Sequence, residues 1–477
     1  MTMRRSELLF RPHRYLSRCA FLILITTGGA VATGRPAQAD AEGELVPVGV
    51  SEIDITPDYP IRMTGYGNRK TESEGVEQRL KARALAIGGA DAAVLITVDN
   101  CAVPGRLTEE VAGRLKDRAG LPRERFVVSS SHTHCGPALT GVLPLIFGQP
   151  VPADQQERID RYTRELTDKL EQVARAALEG RRPGRLAWTQ GTAGFAINRR
   201  QPKGNNIALG VNPGGLVDHA LPMLRVTAAD GAVRAILVNY ACHCTTLGGD
   251  FNKLCGDWVG YACEAIQQAH PGAIALVTIG CGADANPNPR GNLQNTKDNG
   301  MAVAQEVERL LNETLAPLPG RIVGRIKRFE IPFGPLPSRS QWEEAAKKPG
   351  APGLHARTNL ARLDRGETLP ATLPYVAQTW TFGDDLAMVF LAGEVVVDYA
   401  RRLKVECDGP RLWISAYCND VPCYIASRRV IGEGGYEVDG SMVYYDRPTR
   451  LDPEAEDRIV AAVHSLLPEP FNAPRPR

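Results

Sequence analysis

Across 477 residues, Lys and Arg number 56 and Asp and Glu 54, a balance that excludes a chain-wide field for nucleic acid or for an anionic membrane. The length beyond the N-terminal leader exceeds the usual domain of roughly 100–200 residues, which allows one large α/β enzyme domain or two smaller ones. No segment after the leader is apolar over the roughly 20 residues that a bilayer span needs, so no stable membrane span is expected.

Arg4, Arg5, Arg11 and Arg14 precede a short apolar run at 20–27, and Ala37-Gln38-Ala39 makes a small-x-small cleavage site before Asp40. This pattern predicts a signal peptide over 1–39, a mature chain over 40–477, and a secreted or periplasmic location. Ten of the eleven cysteines lie beyond the cleavage site, an even number that an oxidising compartment permits to pair. They lack zinc-ribbon CxxC spacing. Cys135, Cys242, Cys244, Cys255, Cys281, Cys418 and Cys423 crowd the motifs below, where disulfides are expected to brace them.

Along the mature chain, apolar alternation predicts a hairpin over 84–98. An amphipathic helix over 108–118 with Thr108 as its cap follows, then a strand over 126–128 and a long charged helix over 153–178. A second hairpin surrounds Asp230-Gly231, and helix, strand and helix are read over 258–269, 273–279 and 301–311. Strand, helix and strand are read over 386–391, 395–403 and 412–415, and a last helix over 453–467. Stretches rich in Gly, Pro and Asn at 198–215, 280–300 and 333–372 read as loops. Helices alternating with hairpins predict an α/β fold: mixed β-sheets flanked by helices in a layered single catalytic domain, with the site at strand C-terminal ends.

Five polar clusters each follow an apolar, strand-like run: His132 and His134 after FVVSSS, His243 after ILVNYAC, Asp284 after ALVTIGCGA, Glu394 after AMVFLAG, and Tyr424 after LWISAYCNDVPC. Two histidines and a glutamate suit a zinc site that keeps a position open for water, and such an ion lowers the pKa of that water to about 7. Read singly, each has a plainer explanation. His132-Thr133-His134 can be a polar loop, His243 a core histidine beside a disulfide, Glu394 an acid at a helix N-terminus, and Tyr424 a packing residue. Their conjunction favours a site.

The chain resembles the catalytic part of the neutral/alkaline non-lysosomal ceramidases, from about Val48 to Tyr436. The likeness rests on Thr64-Gly65-Tyr66, Lys81-Ala82-Arg83-Ala84, His132-Thr133-His134-x-Gly136-Pro137, Ile197-Asn198-Arg199 and Val217-Asp218-His219. It continues through His243, Gly256-Asp257-x-x-Gly260-Tyr261, Gly393-Glu394, and Tyr424 with Tyr436 twelve positions on. The resemblance implies a zinc amidohydrolase with one Zn2+ per chain, cleaving a linear N-acyl amide, sphingolipid-like or otherwise. By matched position it implies His132, His243, Glu394 and Tyr424 as zinc ligands, and His134 and Arg199 as the pair that binds and polarises the substrate carbonyl. Tyr436 is implied as a substrate hydrogen-bonding residue, and Asp257 as a loop-shaping residue rather than a ligand.

Two departures qualify the likeness. The family pattern carries a catalytic serine in the segment matching 280–288; here either Ala285 or Asn286 stands at its place. Asp284 beside it is a candidate for proton handling or for holding Arg290. The resemblance also implies a β-sandwich domain beyond the catalytic part, for which the sequence after 467 leaves no room, and 201–212 offers few large apolar residues for an acyl chain. A smaller or more polar amide is therefore expected. The alternatives are a zinc hydrolase of an ester, lactone or other small carbonyl compound, a metal-binding protein with lapsed catalysis, and a cysteine hydrolase using Cys135, Cys244 or Cys281.

Overall fold

Alternation of side chains sets the layering. In the strand Lys81–Ile87, Ala82, Ala84 and Ala86 join one core, whereas Leu85 and Ile87 join another on the opposite face. Its neighbour Ala93–Val98 divides likewise, with Val94, Ile96 and Val98 on one side and Ala93 and Leu95 on the other. Burial of both faces requires cover on both faces. The computed structural model describes residues 43–474; the signal peptide expected over 1–39 lies outside them.

The larger sheet has nine strands. Its hydrogen-bonded order is Ile274–Ile279, Val233–Tyr240, Ala220–Ala228, Arg182–Thr192, Val46–Asp54, Lys81–Ile87, Ala93–Val98 and Phe126–Ser130, with Ala316–Leu318 added beside Arg182–Thr192. The outermost pairs at both ends are parallel and the rest antiparallel. A second sheet of four strands, Ile322–Pro332, Thr372–Phe382, Leu386–Leu391 and Leu412–Ser415, packs against it through Trp380, Phe382, Met388, Phe390 and Trp413. The helices Gly105–Ala119, Ala153–Glu179 and Asp257–Ala269 cover the outer face of the first sheet, and Val397–Glu406 and Glu454–Leu466 that of the second. The fold is the mixed, layered α/β arrangement expected.

Both hairpins, the long helix and the alternating strands form as expected. The first helix begins earlier, at Gly105 after Pro104, so Thr108 is buried in its first turn and caps nothing. The helix read over 301–311 starts at Leu293, where Asn292 accepts the Asn295 amide at 2.9 Å. All three expected loops hold further structure, 280–300 containing the short strand Ala285–Pro287 besides the start of that helix. Ala196–Lys203 and Asn206–Asn212 form a hairpin, and 333–372 contains the helices Arg339–Ala345 and Gly350–Asp364.

The expected disulfides are not made. All ten cysteines among the described residues are free and buried, and they pack as small apolar side chains.

One short segment ties the sheets together at the site. The Asn419 amide donates to Val128 O (2.7 Å), Ser130 donates to Tyr417 O (3.2 Å), Cys418 donates to Leu391 O (3.0 Å), and Ala416 donates to Ile279 O (2.8 Å). The C-terminal ends of Phe126–Ser130, Ile274–Ile279 and Leu386–Leu391 are thereby fastened to the chain leaving Leu412–Ser415.

Candidate functional site

The residues that follow these strand ends converge. Strand Phe126–Ser130 stops before the histidines, and His132 adopts a left-handed backbone (φ 58°), a strained setting for a residue with a Cβ. Strand alternation therefore does not place His132 and His134 together. The turn does, bringing their Nε2 atoms to 3.1 Å. His132 is buried against the ring of Tyr417, itself at φ 55° (centroids 4.5 Å apart). Its Nδ1 lies 2.7 Å from Cys101 O. His243 is likewise buried, with Nδ1 2.9 Å from Gly282 O, and its own carbonyl accepts the Trp258 indole N–H at 3.0 Å.

Glu394 and Tyr424 reach the same point through backbone pairing. Glu394–Val395 and Tyr424–Ile425 make a two-residue parallel ladder in which Glu394 is the direct partner of Tyr424. Gly393 precedes it at φ +83°, where an added Cβ would lie 2.8 Å from Cys423 O, so both the conformation and the close approach call for glycine. Glu394 is part of a strand here, and the following helix begins at Val397, so it is not an N-terminal helix acid.

Glu394 Oε2 lies 3.1 Å from His132 Nε2 and 3.2 Å from His243 Nε2. Tyr424 Oη is 3.2 Å from His243 Nε2, and Tyr445 Oη donates to Glu394 Oε1. Because each Nδ1 faces a carbonyl oxygen, each carries a proton there, and Nε2 is the atom left to take either a proton or a cation. Both Nε2 atoms meet a carboxylate oxygen that has no hydrogen bond of its own. The three donor atoms lie within 4.8 Å of one another and are buried. Such a set is satisfied by a cation at its centre, and His, His and Glu are a recurrent zinc donor set.

The electrostatics make the same demand. Burial alone would lower the His132 pKa, but the Glu394 charge overrides it and pushes it up to about 10. Burial drives His243 down to about 3, with the Arg199 charge adding to the effect. Burial acts to raise Glu394, yet the facing histidines hold it well below the usual carboxylate range. The pocket stabilises one positive charge beside this carboxylate. A second group, Cys101, His132 and His134, is also close, but His132 Nδ1 there is already engaged with Cys101 O.

Arg199 enters from the strand Ala196–Lys203. Its Nε donates to Glu437 Oε1 (2.9 Å), Nη2 to Tyr424 Oη (2.9 Å) and Nη1 to Asn286 Oδ1 (3.3 Å). Glu437 also accepts from Arg200 Nη1 at 2.6 Å, so one buried carboxylate fixes both arginines. His134 has no partner on Nδ1 and packs edge-on to Tyr66, their centroids 4.7 Å apart. Burial, then the neighbouring histidines, push its pKa well below the usual value, which leaves it a neutral base.

A cavity of about 490 Å³ opens over these groups, within the range of small-molecule sites. His134, Arg199, Asn286, Tyr424 and Tyr436 line it, together with Leu209 and Val211 of the hairpin, Thr245 and Arg290. Of the two residues competing for the serine's place, Asn286 faces the cavity, while Ala285 is buried and its carbonyl accepts the His243 amide.

Asp284 lies elsewhere. It is fully buried, accepts from Val397 N (2.9 Å) and Asn198 Nδ2 (3.2 Å), and does not line the cavity. Arg290, its expected partner, donates instead to Tyr66 Oη. Asp257 accepts the amides of Thr246 and Leu247 and shapes the loop after His243. Sequence reasoning missed Glu437, Tyr445 and Tyr417. Adjacency to Tyr436 was the one signal that pointed toward Glu437.

The sequence profile described as neutral/alkaline non-lysosomal ceramidase, N-terminal, matches residues 47–298. Over 95 residues the chain is 34% identical to neutral ceramidase 2 of Arabidopsis thaliana, covering 19% of this chain and 12% of that protein. Over 162 residues it is 29% identical to neutral ceramidase 3 of the same plant, covering 32% of this chain and 21% of that protein. The matched segments thus span about a fifth or less of these curated relatives. Among solved structures, neutral ceramidase from Pseudomonas aeruginosa shares the fold with a TM-score of 0.67 at 16% identity, over 88% of this chain and 73% of that one. A ceramidase complexed with C2 gives 0.66 at 17% identity, over 91% and 77%.

Proposed function

The chain belongs to the neutral/alkaline non-lysosomal ceramidase family, whose members are amidohydrolases acting on carbon–nitrogen bonds, and we propose that it is a zinc-dependent hydrolase of a linear N-acyl amide. The observation that carries this reading is the meeting of His132 Nε2, His243 Nε2 and the otherwise unpartnered Glu394 Oε2 beneath a cavity lined by His134 and Arg199. In it His132, His243 and Glu394, with Tyr424 as the fourth ligand, hold one divalent ion. Bound there, such an ion acts as a Lewis acid and makes a water nucleophilic near neutral pH.

The remaining work falls to the chain. Arg199, oriented by Glu437, donates Nη–H groups to the amide carbonyl oxygen, where negative charge grows as water adds to the carbon. Neutral His134 takes a proton from the attacking water through Nε2 and returns it to the amide nitrogen as the C–N bond breaks. An acid and an amine leave. Asn286 steadies Arg199 Nη1, and Tyr436, whose ring lies 5.6 Å from the guanidinium, bonds substrate from the cavity wall. Asp284 acts at one remove, holding the backbone from which Arg199 and the Val397 helix depart. Export by a cleaved leader is part of the same proposal.

The test is amine release from N-acyl substrates of short and long chain, before and after chelation. The expected result is hydrolysis that disappears with a zinc chelator and returns with added Zn2+. Activity that survives chelation and is lost to a thiol reagent, or hydrolysis confined to esters, would overturn the assignment.

A further inference from the structure

Eighteen residues line the cavity; two are arginines and none is Asp or Glu, so any charge a substrate meets on the wall is positive. The two arginines differ in how their charge is answered. Arg199 is offset by the buried carboxylate of Glu437. Among the described residues no carboxylate lies within ion-pair reach of exposed Arg290, and its guanidinium holds only Tyr66 Oη, at 3.1 Å.

That contact positions the arginine without neutralising it. Tyr66 spends its proton on Leu247 O (2.8 Å) and therefore accepts from Arg290 with a lone pair. The backbone around Arg290 is also held. Asn288 N donates to Phe195 O and Gly291 N to Thr246 O, both at 2.7 Å, and Asn299 Nδ2 donates to Pro289 O at 3.2 Å. Tyr66 bridges the two working ends of the cavity, with its ring against His134 and its hydroxyl at Arg290. The exposed apolar Leu209 and Val211 contribute a separate part of the wall.

We propose that Arg290 is a specificity determinant that selects an N-acyl substrate whose amine portion carries a carboxylate close to the scissile amide, that is, an N-acylated amino acid. The acyl chain lies on the apolar wall, the amide carbonyl at Arg199, and the carboxylate on the free Nη–H groups of Arg290 in the charge-assisted geometry that guanidinium favours. This inference rests on the amidase reading for the orientation of substrate, and the experiment separates the two.

Binding by isothermal titration calorimetry, and turnover, are compared for N-octanoylglycine and the neutral N-octanoylethanolamine in wild type, Arg290→Gln and Arg290→Lys. Wild type is expected to favour the acid by about tenfold or more in Kd and in kcat/KM, with the preference abolished in Arg290→Gln and partly kept in Arg290→Lys. Turnover of both compounds at similar efficiency by wild type leaves the amidase reading standing and overturns the inference. Tighter, Arg290-dependent binding of the acid with no turnover of either compound supports the inference and overturns the amidase reading. A preference that survives in Arg290→Gln means the carboxylate is taken elsewhere, and also overturns it.

Discussion

Glu394 and Tyr424 are direct partners in a two-residue parallel ladder, so side chains thirty positions apart are delivered to one point by main-chain register. The ladder supplies position but not orientation. Glu394 Oε1 takes a hydrogen bond from Tyr445, which leaves Oε2 turned toward His132 and His243. Removing that hydroxyl frees the carboxylate to rotate. Tyr445→Phe is expected to weaken affinity for the proposed divalent cation by about 10–100-fold, as loss of a ligand's supporting hydrogen bond generally does. Competition with a fluorescent zinc chelator measures it, and unchanged affinity would remove Tyr445 from the account.

Gly65 sits at φ +116°, and a Cβ there would lie 2.3 Å from Cγ of His134. Gly65→Ala must therefore displace the imidazole or the loop. The expected outcome is a fall in kcat of about 100-fold, the scale set by ångström misplacement of a reacting group, with metal content unchanged. Single-turnover kinetics beside elemental analysis distinguish this from loss of the ion.

Asp284 offers a pH signature away from the proposed ligands. Burial raises its pKa from 3.8 to about 7, against the lowering effect of the Val397 amide. The folded protein thus binds this proton more tightly than the unfolded chain does. Stability from this group is fullest below the unfolded pKa and is lost as pH rises through about 7. Denaturant titrations should show the difference between wild type and Asp284→Asn changing across that window, in the direction of wild type weakening as pH rises. A difference independent of pH would show that Asp284 titrates normally.

Much of the site was legible because its residues follow apolar strand runs: His132 after Phe126–Ser130, His243 after Val233–Tyr240, and Glu394 after Leu386–Leu391. What supports them was not. Glu437 holds Arg199 from 238 residues away, and Tyr445 holds Glu394 from 51 away, separations at which no local pattern operates. The hairpin over Ala196–Lys203 and Asn206–Asn212 has the sequence of a loop because Pro202, Gly204 and Asn205 signal a turn and obscure the pairing on either side. An even cysteine count suggested disulfides, but pairing depends on geometry, and these thiols fill the core instead.

Two histidines two positions apart divide the labour proposed for the site. His132 and His243 each have Nδ1 on a carbonyl and Nε2 on Glu394, whereas His134 Nδ1 has no partner. Metal content per chain, measured by elemental analysis of His243→Ala and His134→Ala beside wild type and matched with turnover, tests it most directly. The expected result is about one zinc per wild-type chain, its loss in His243→Ala, and its retention in a His134→Ala protein that no longer turns over substrate. A His134→Ala protein stripped of metal, or a His243→Ala protein that keeps it, would contradict the account.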